Sequence, residues 1–203
     1  MSCNYVLAAL RVSPALLVQS VSFGVRAGTP TTNLFRVDSS PQTSTRRFTV
    51  GPTIGIDFWR GAAIEADFLL TAATLATAGS SATIRRWELP ITLVYNFRPS
   101  RVGSFVRAGP ALNRVFDTGA AVECGRGIFG EQFYCLNGSS LAELRHRGTF
   151  GPVIGGGLHF RVKGIRLETE ARLTRWVDRI FGVRDSAVQS NLTQVEILVG
   201  AVL

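Results

Sequence analysis

The chain has 203 residues, of which 46% are hydrophobic, and its 22 Lys and Arg residues outnumber 14 Asp and Glu residues, for a net charge of +8. Its arginines are scattered rather than clustered among aromatic residues, so we expect no nucleic-acid partner. No apolar run reaches the roughly 18 residues of a membrane-spanning helix. Strands that cross a membrane are not excluded, because their hydrophobic signal alternates and is weaker.

Residues 1–17 form an ill-defined N-terminal segment. Arg11 interrupts its apolar stretches, and it has neither a basic start nor a clear cleavage site. We read it either as a poor signal segment or as one truncated at its start. The remaining residues, 18–203, are predicted to form a single domain.

Eight segments of this domain alternate apolar with polar or small residues, as β-strands do. Residues 85–97 show the pattern best, because every second residue from Trp87 is apolar or aromatic and aromatic residues close both ends of that face. The Ala-rich tract 62–78 would also suit a helix, but Glu65 and Asp67 alternate with apolar neighbours and favour a strand. In chain order, the predicted strands are residues 18–28, 47–58, 62–71, 85–97, 104–116, 149–161, 165–176 and 192–203.

The predicted connections alternate between long and short. Long ones follow the first, third, fifth and seventh strands, and include residues 72–82 and 117–147. This alternation, the strand lengths and the aromatic ends are typical of barrels that cross a membrane, and a soluble sandwich demands none of them. We therefore predict an all-β fold, an eight-stranded antiparallel up-and-down transmembrane β-barrel with short periplasmic turns and long external loops.

The apolar strand faces would then point to lipid, and the opposite faces into a lumen just wide enough to be filled by side chains. Pro52, Pro110 and Pro152 lie in mid-strand on apolar faces, where we expect bulges or missed hydrogen bonds. We predict a structural network of paired charges in the lumen, with glycines leaving room for them; a proton or ion path is the alternative. Its members are Arg26, Glu65, Asp67, Glu88, Arg107, Arg166, Glu168, Glu170, Arg172 and Glu196.

Two further groups of residues stand at the predicted external loops. Two arginine pairs lie where strands meet loops, and they either contact lipopolysaccharide phosphates or form an ordinary solvated rim. Cys124 and Cys135 have no further Cys or adjacent His to make a metal site, so we expect a disulfide that closes the longest loop, with two free thiols as the alternative. The arginine pairs are Arg46, Arg47, Arg85 and Arg86.

Four segments, RRWELPITLVYNF, SFVRAGPALNRVF, GTFGPVIGGGLHF and GAAIEADFLL, resemble the small eight-stranded outer-membrane barrels of OmpA-like and opacity type. The resemblance covers roughly residues 18–203. It implies a location in the bacterial outer membrane, with outer-membrane lipid, lipopolysaccharide and the barrel-assembly machinery as partners. Such barrels usually end in Phe or Trp, whereas this chain ends in Leu203, which puts recognition by that machinery in doubt.

Resembling families include barrel enzymes that trim lipid A acyl chains with a Ser, a His and an acid on the outer wall. Here His159 is predicted to face the lumen without an adjacent serine. We therefore expect a non-enzymatic outer-membrane barrel, structural or binding an extracellular partner through its loops, with no catalytic, cofactor or metal site. The alternatives are a soluble lipocalin-type carrier of an apolar ligand and a lipid A-modifying enzyme.

Overall fold

A computed structural model describes residues 20–32, 35–37, 44–59, 61–77, 80–97, 101–118, 121–126, 133–138, 147–179 and 188–203. The predicted segment 1–17 lies outside them. Across these ranges no helix has the length and apolar character to cross a membrane. The strands are β1 (Ser20–Pro30), β2 (Phe35–Val37), β3 (Ser44–Trp59), β4 (Ala62–Asp67), β5 (Leu69–Thr77), β6 (Ser80–Asn96), β7 (Val102–Thr118), β8 (Ala121–Arg126), β9 (Phe133–Gly138), β10 (Gly148–Val162), β11 (Ile165–Arg175), β12 (Val188–Ser190) and β13 (Thr193–Val202).

Eight strand positions close into one antiparallel barrel. The order around it is β1, β3, β4 with β5, β6, β7, β10, β11 and β13, and β13 pairs back to β1. β4 and β5 are two halves of one strand, because both pair with β3 on one side and with β6 on the other. The predicted all-β, eight-stranded antiparallel barrel is confirmed.

Two predicted loops contain strands. β5 continues to Thr77 and pairs with β6 as far as Ser80, so the predicted loop over residues 72–82 is wrong. The tract consists mainly of Ala, Thr and Ser, so it lacks the apolar–polar contrast that reveals a half-buried strand, and its pairing with β3 and β6 defines it instead. The predicted loop over residues 117–147 includes the β8–β9 hairpin, which pairs with the start of β6.

The barrel has two different ends. At the turn end, only two residues separate β3 from β4 and β10 from β11, and β1 begins and β13 ends there. Lys163 and Gly164 have φ values of 48° and 90°, as in the two-residue type I′ turn that suits the twist of a hairpin. At the opposite loop end, β2 and β12 form a separate two-stranded sheet that joins two long connections.

Exposure alternates along the barrel strands, and along β11 it does so at every residue. The outward side chains are apolar: Phe23 is 59% exposed, Leu93 54% and Ile154 55%. The inward side chains are largely charged or hydroxyl-bearing. A soluble carrier has the reverse arrangement, with its apolar face lining the cavity.

The mid-strand prolines leave the register unchanged. The β1–β3 ladder runs unbroken through Pro52, and Pro110 lies opposite Pro152. The prolines introduce no bulge, but the expected missed pairing occurs at Pro110, where the β6–β7 ladder skips Ile91 and Thr92. A proline lacks a ladder donor, while its φ still suits an extended strand. Opposite Pro52, β4 gives way to β5 at Phe68, whose N–H donates to the Pro52 carbonyl (2.9 Å). Register shifts occur elsewhere, at Asp57/Trp59 and Arg85/Arg86.

Candidate functional site

Eight of the ten predicted lumen charges form one ion-pair network, with Arg26 of β1 at its centre. Guanidinium nitrogens of Arg26 lie 2.6 Å from Glu65, 2.8 Å from both Glu168 and Glu170, and 3.5 Å from Asp67. These carboxylates come from β4 and β11, each two strands away from β1 around the barrel. Arg26 therefore links distant parts of the wall through the lumen.

Three more arginines complete this network. Four arginines face four carboxylates, so the network is formally neutral and each carboxylate has at least two cationic neighbours. Pairing of this kind is what buried charges require. The further contacts are Arg107 to Glu65 (2.9 Å) and Glu170 (3.3 Å), Arg166 to Glu65 and Glu168 (both 2.7 Å), and Arg172 to Asp67 (2.6 Å) and Glu170 (2.9 Å).

Glycines provide the space that these long side chains occupy. Gly155 of β10 is the register partner of both Arg107 and Arg172. A Cβ at this glycine would lie 2.8 Å from a carboxylate oxygen of Glu170 and 3.2 Å from Cγ of Arg107. Any side chain there would have to displace the network, so the glycine belongs to the site as much as the charges do.

The other two predicted charges, Glu88 and Glu196, belong to a second cluster nearer the loop end. Gln194 Nε2 donates to Glu196 (2.7 Å) and Glu88 (3.3 Å), while its Oε1 accepts from Arg86 (2.5 Å) and from the indole N–H of Trp176 (3.3 Å). The guanidinium of Arg86 is also 2.6 Å from Glu88. Sequence reasoning missed Gln194 and Trp176 as cluster members, although strand alternation places both on inward faces.

Three of the four arginines predicted to contact lipopolysaccharide can be placed, and they do not share one face of the barrel wall. Arg85 is exposed on the outer wall, whereas Arg86 is 8% exposed and turned into the lumen, because successive strand residues face opposite sides. Arg47 is half-buried and donates to the carbonyl of Thr32. The side chain of Arg46 lies outside the described part of the chain.

Cys124 and Cys135 are directly opposite each other in the β8–β9 hairpin. Opposite residues of an antiparallel pair have Cα atoms about 4.5 to 5.5 Å apart, a separation that a disulfide can span. Their side chains are not among those described, so the disulfide stays a prediction.

His159 is inside the barrel and only 1% exposed, with Gly103 and Glu168 as register partners. A histidine in this position cannot reach a lipid on the outer wall. Considering only the described residues, no group of three or more His, Cys, Asp or Glu side chains is placed to hold a metal ion. The chemistry that the described lumen residues offer is that of paired charges.

No family model and no curated protein matches the chain. Among solved structures, neisserial surface protein A is similar over 90% of this chain and 95% of its own, with a TM-score of 0.53 and 14% identity. The chain therefore has the fold of the small eight-stranded outer-membrane barrels. The barrel also matches the attachment invasion locus protein Ail of Yersinia pestis (TM-score 0.48, 12% identity, covering 90% and 97%) and the outer membrane enzyme PagL (0.45, 14%, 90% and 98%). At these identities the likeness concerns the fold.

Proposed function

We propose that the protein is a non-enzymatic integral barrel of the bacterial outer membrane, with a filled lumen and a binding surface at its loop end. The observation that carries this proposal is the inside-out distribution of side chains, with charges buried and large apolar residues exposed around the wall. A hydrocarbon surrounding would remove such a wall from water on all sides of the barrel. Outer-membrane barrels have short turns in the periplasm and longer loops outside the cell, so the loop end would face the exterior and the turn end the periplasm.

The ion-pair network supports a lumen that does not conduct freely. Its arginines and acids join β1, β4, β7 and β11, so they extend across the barrel rather than along one side. A passing ion would have to separate pairs that lie 2.6 to 2.9 Å apart, and a buried charge without its partner is costly. This favours the structural network over the proton or ion path.

We propose that arginines on the outer wall contact lipopolysaccharide. Of these, Arg85 was among the four predicted from the sequence, and the other two were not. Arg85, Arg114 and Arg175 are exposed on the loop-end part of the wall. Arg114 lies opposite Trp87 in the register of β6 and β7. Tryptophan favours the membrane interface, and arginine forks suit phosphate oxygens, so this level of the wall fits a phosphorylated lipid headgroup.

The loop end is the proposed surface for an extracellular partner. The β2–β12 sheet ties together the connections after β1 and β11, and the β8–β9 hairpin extends the sheet beyond β6. Paired strands of this kind hold their own residues in a defined arrangement at the loop end, as a binding surface needs.

Three measurements on the purified chain test the proposed function. Folded barrel in detergent should migrate differently on gels before and after boiling, show no steady conductance in planar bilayers, and leave lipid A acyl chains intact. A monomer that stays soluble in plain buffer would contradict membrane insertion, and a steady ohmic current would contradict the filled lumen. Release of fatty acid that His159→Ala abolishes would contradict the non-enzymatic role.

A further inference from the structure

Three arginines lie side by side at the turn-end mouth of the lumen. Arg161 of β10 is the register partner of Arg166 of β11, and on the β7 side its backbone N–H donates to the carbonyl of Arg101 (2.7 Å). Strand alternation places Arg161 on the face of the buried His159, two residues earlier, and Arg101 on the face of the buried Gly103. Paired side chains on one face of a sheet are about 5 Å apart, so the three arginines form one row on the inner lip of the barrel.

The arginine row is fixed at one end and uncompensated at the other. Arg166 is 8% exposed, and its guanidinium lies 2.7 Å from both Glu65 and Glu168. Arg101 and Arg161 are exposed, and among the residues that the structure describes no acid forms an ion pair with either. Like charges directly opposite each other destabilise a strand pair, so the row has an energetic cost that a bound anion would remove.

An acid elsewhere at the turn end does not neutralise the row. Asp57 of β3 lies at this end, but its carboxylate accepts a hydrogen bond from the hydroxyl of Ser20 (2.6 Å). β3 and β10 are four strands apart in the eight-stranded barrel, so Asp57 and Arg161 stand on opposite sides of the mouth. Lys163, at the tip of the β10–β11 hairpin, adds another exposed cation on the arginine side. This side of the mouth is therefore locally positive.

The lumen behind the row is closed. Ala63, Val94 and Phe105 pack into a cluster in which each is 2% exposed, and His159 is 1% exposed. An anion at the row would therefore stay at the mouth, with solvent on one side and the guanidinium N–H groups of the row on the other.

We propose that the arginine row binds the phosphate group of a soluble molecule at the turn-end mouth. Guanidinium forks match phosphate oxygens, and a doubly charged anion offsets the two uncompensated arginines. The row faces the lumen, so the phosphate of a lipid beside the outer wall would be on the wrong side of the sheet. This site is separate from the binding surface proposed at the loop end, and its exposure to the periplasm rests on the proposed function.

The site is tested with inorganic phosphate, added to the full chain folded in a non-ionic detergent and followed by NMR of ¹⁵N-labelled arginine side chains. We expect the signals of Arg101 and Arg161 to shift and saturate together. Arg161→Gln, read from the Arg101 signal, should weaken binding about tenfold because a charge-assisted fork is lost. Arg147→Gln removes the same charge from an exposed arginine at the loop end and should leave the phosphate affinity unchanged. Unshifted Arg101 and Arg161 signals, or equal affinities of the two variants, would overturn the inference.

Two further titrations identify the source of the phosphate. Glycerol phosphate should bind with an affinity similar to that of inorganic phosphate, whereas phosphatidylglycerol in the micelle should leave the Arg161 signal in place. A shift caused by phosphatidylglycerol without free phosphate would assign the row to a lipid headgroup and overturn the soluble ligand. Boiling-dependent gel migration separates the two failures: a folded barrel that does not bind phosphate refutes only this inference, and a chain that never folds in detergent refutes the proposed function as well.

Discussion

Replacing Arg26 by Met tests whether the lumen network holds the barrel together. Arg26 is 2% exposed and contacts four carboxylates at 2.6 to 3.5 Å, and Met keeps an unbranched stem without the charge. Breaking a buried pair by removing one partner costs about 3–5 kcal/mol, because a buried charge loses its compensation. Each of the four carboxylates retains another arginine within 3 Å, so we expect the lower end, about 3 kcal/mol.

The measurement is urea unfolding of the barrel in phospholipid vesicles, followed by tryptophan fluorescence. Arg101→Met, at an exposed position of the turn end, is the control and should change the free energy of unfolding by no more than about 0.5 kcal/mol. Adding Glu168→Gln to Arg26→Met restores equal numbers of opposite charges and should recover part of the loss. If Arg26→Met costs no more than Arg101→Met, the network does not stabilise the closed barrel.

Three further experiments test the outer wall, the lumen and the β8–β9 hairpin. Leu93→Arg, in the middle of the outward face of β6, should cost about 2–4 kcal/mol in bilayers, and a harmless result would mean that this face does not contact lipid. Thr92→Arg, one residue away and 1% exposed, should instead destabilise by crowding the lumen. Alkylation without reductant, followed by mass spectrometry, should leave Cys124 and Cys135 unmodified, so that only Cys3 is labelled. A disulfide closing this loop would stabilise the fold by about 3 kcal/mol. Labels on all three cysteines would contradict the disulfide.

The period of two was enough to predict the barrel because the two faces of its strands carry different residue types. Leu93 and Thr92 are neighbours in sequence, yet one is 54% and the other 1% exposed. Where the wall is apolar and the lumen side is polar, the sequence therefore reveals the strand and its orientation. Residues 71–77 of β5 are mostly Ala and Thr and lack this contrast, so this part of the strand is defined by its partners β3 and β6 rather than by its own pattern.

The lumen charges could be assigned to a face from the sequence, but their contacts could not. Arg26 and Glu168 are 142 residues apart, and they meet only because the strand order and register place β1 and β11 two strands apart with both side chains in the lumen. For Arg86 the predicted face itself was wrong. Treating two consecutive strand residues as one basic pair ignored the alternation that sends Arg85 outward and Arg86 into contact with Glu88.

The distribution of charge connects the lumen with the proposed lipopolysaccharide contact. The first network is formally neutral and the second combines one arginine with two acids, so the basic excess of the chain lies outside these two clusters. A basic excess on a nucleic-acid binder would be gathered on one face. Here exposed cations stand at the loop-end level of the apolar wall, where the proposed membrane would present phosphates. They are Arg85, Arg114 and Arg175.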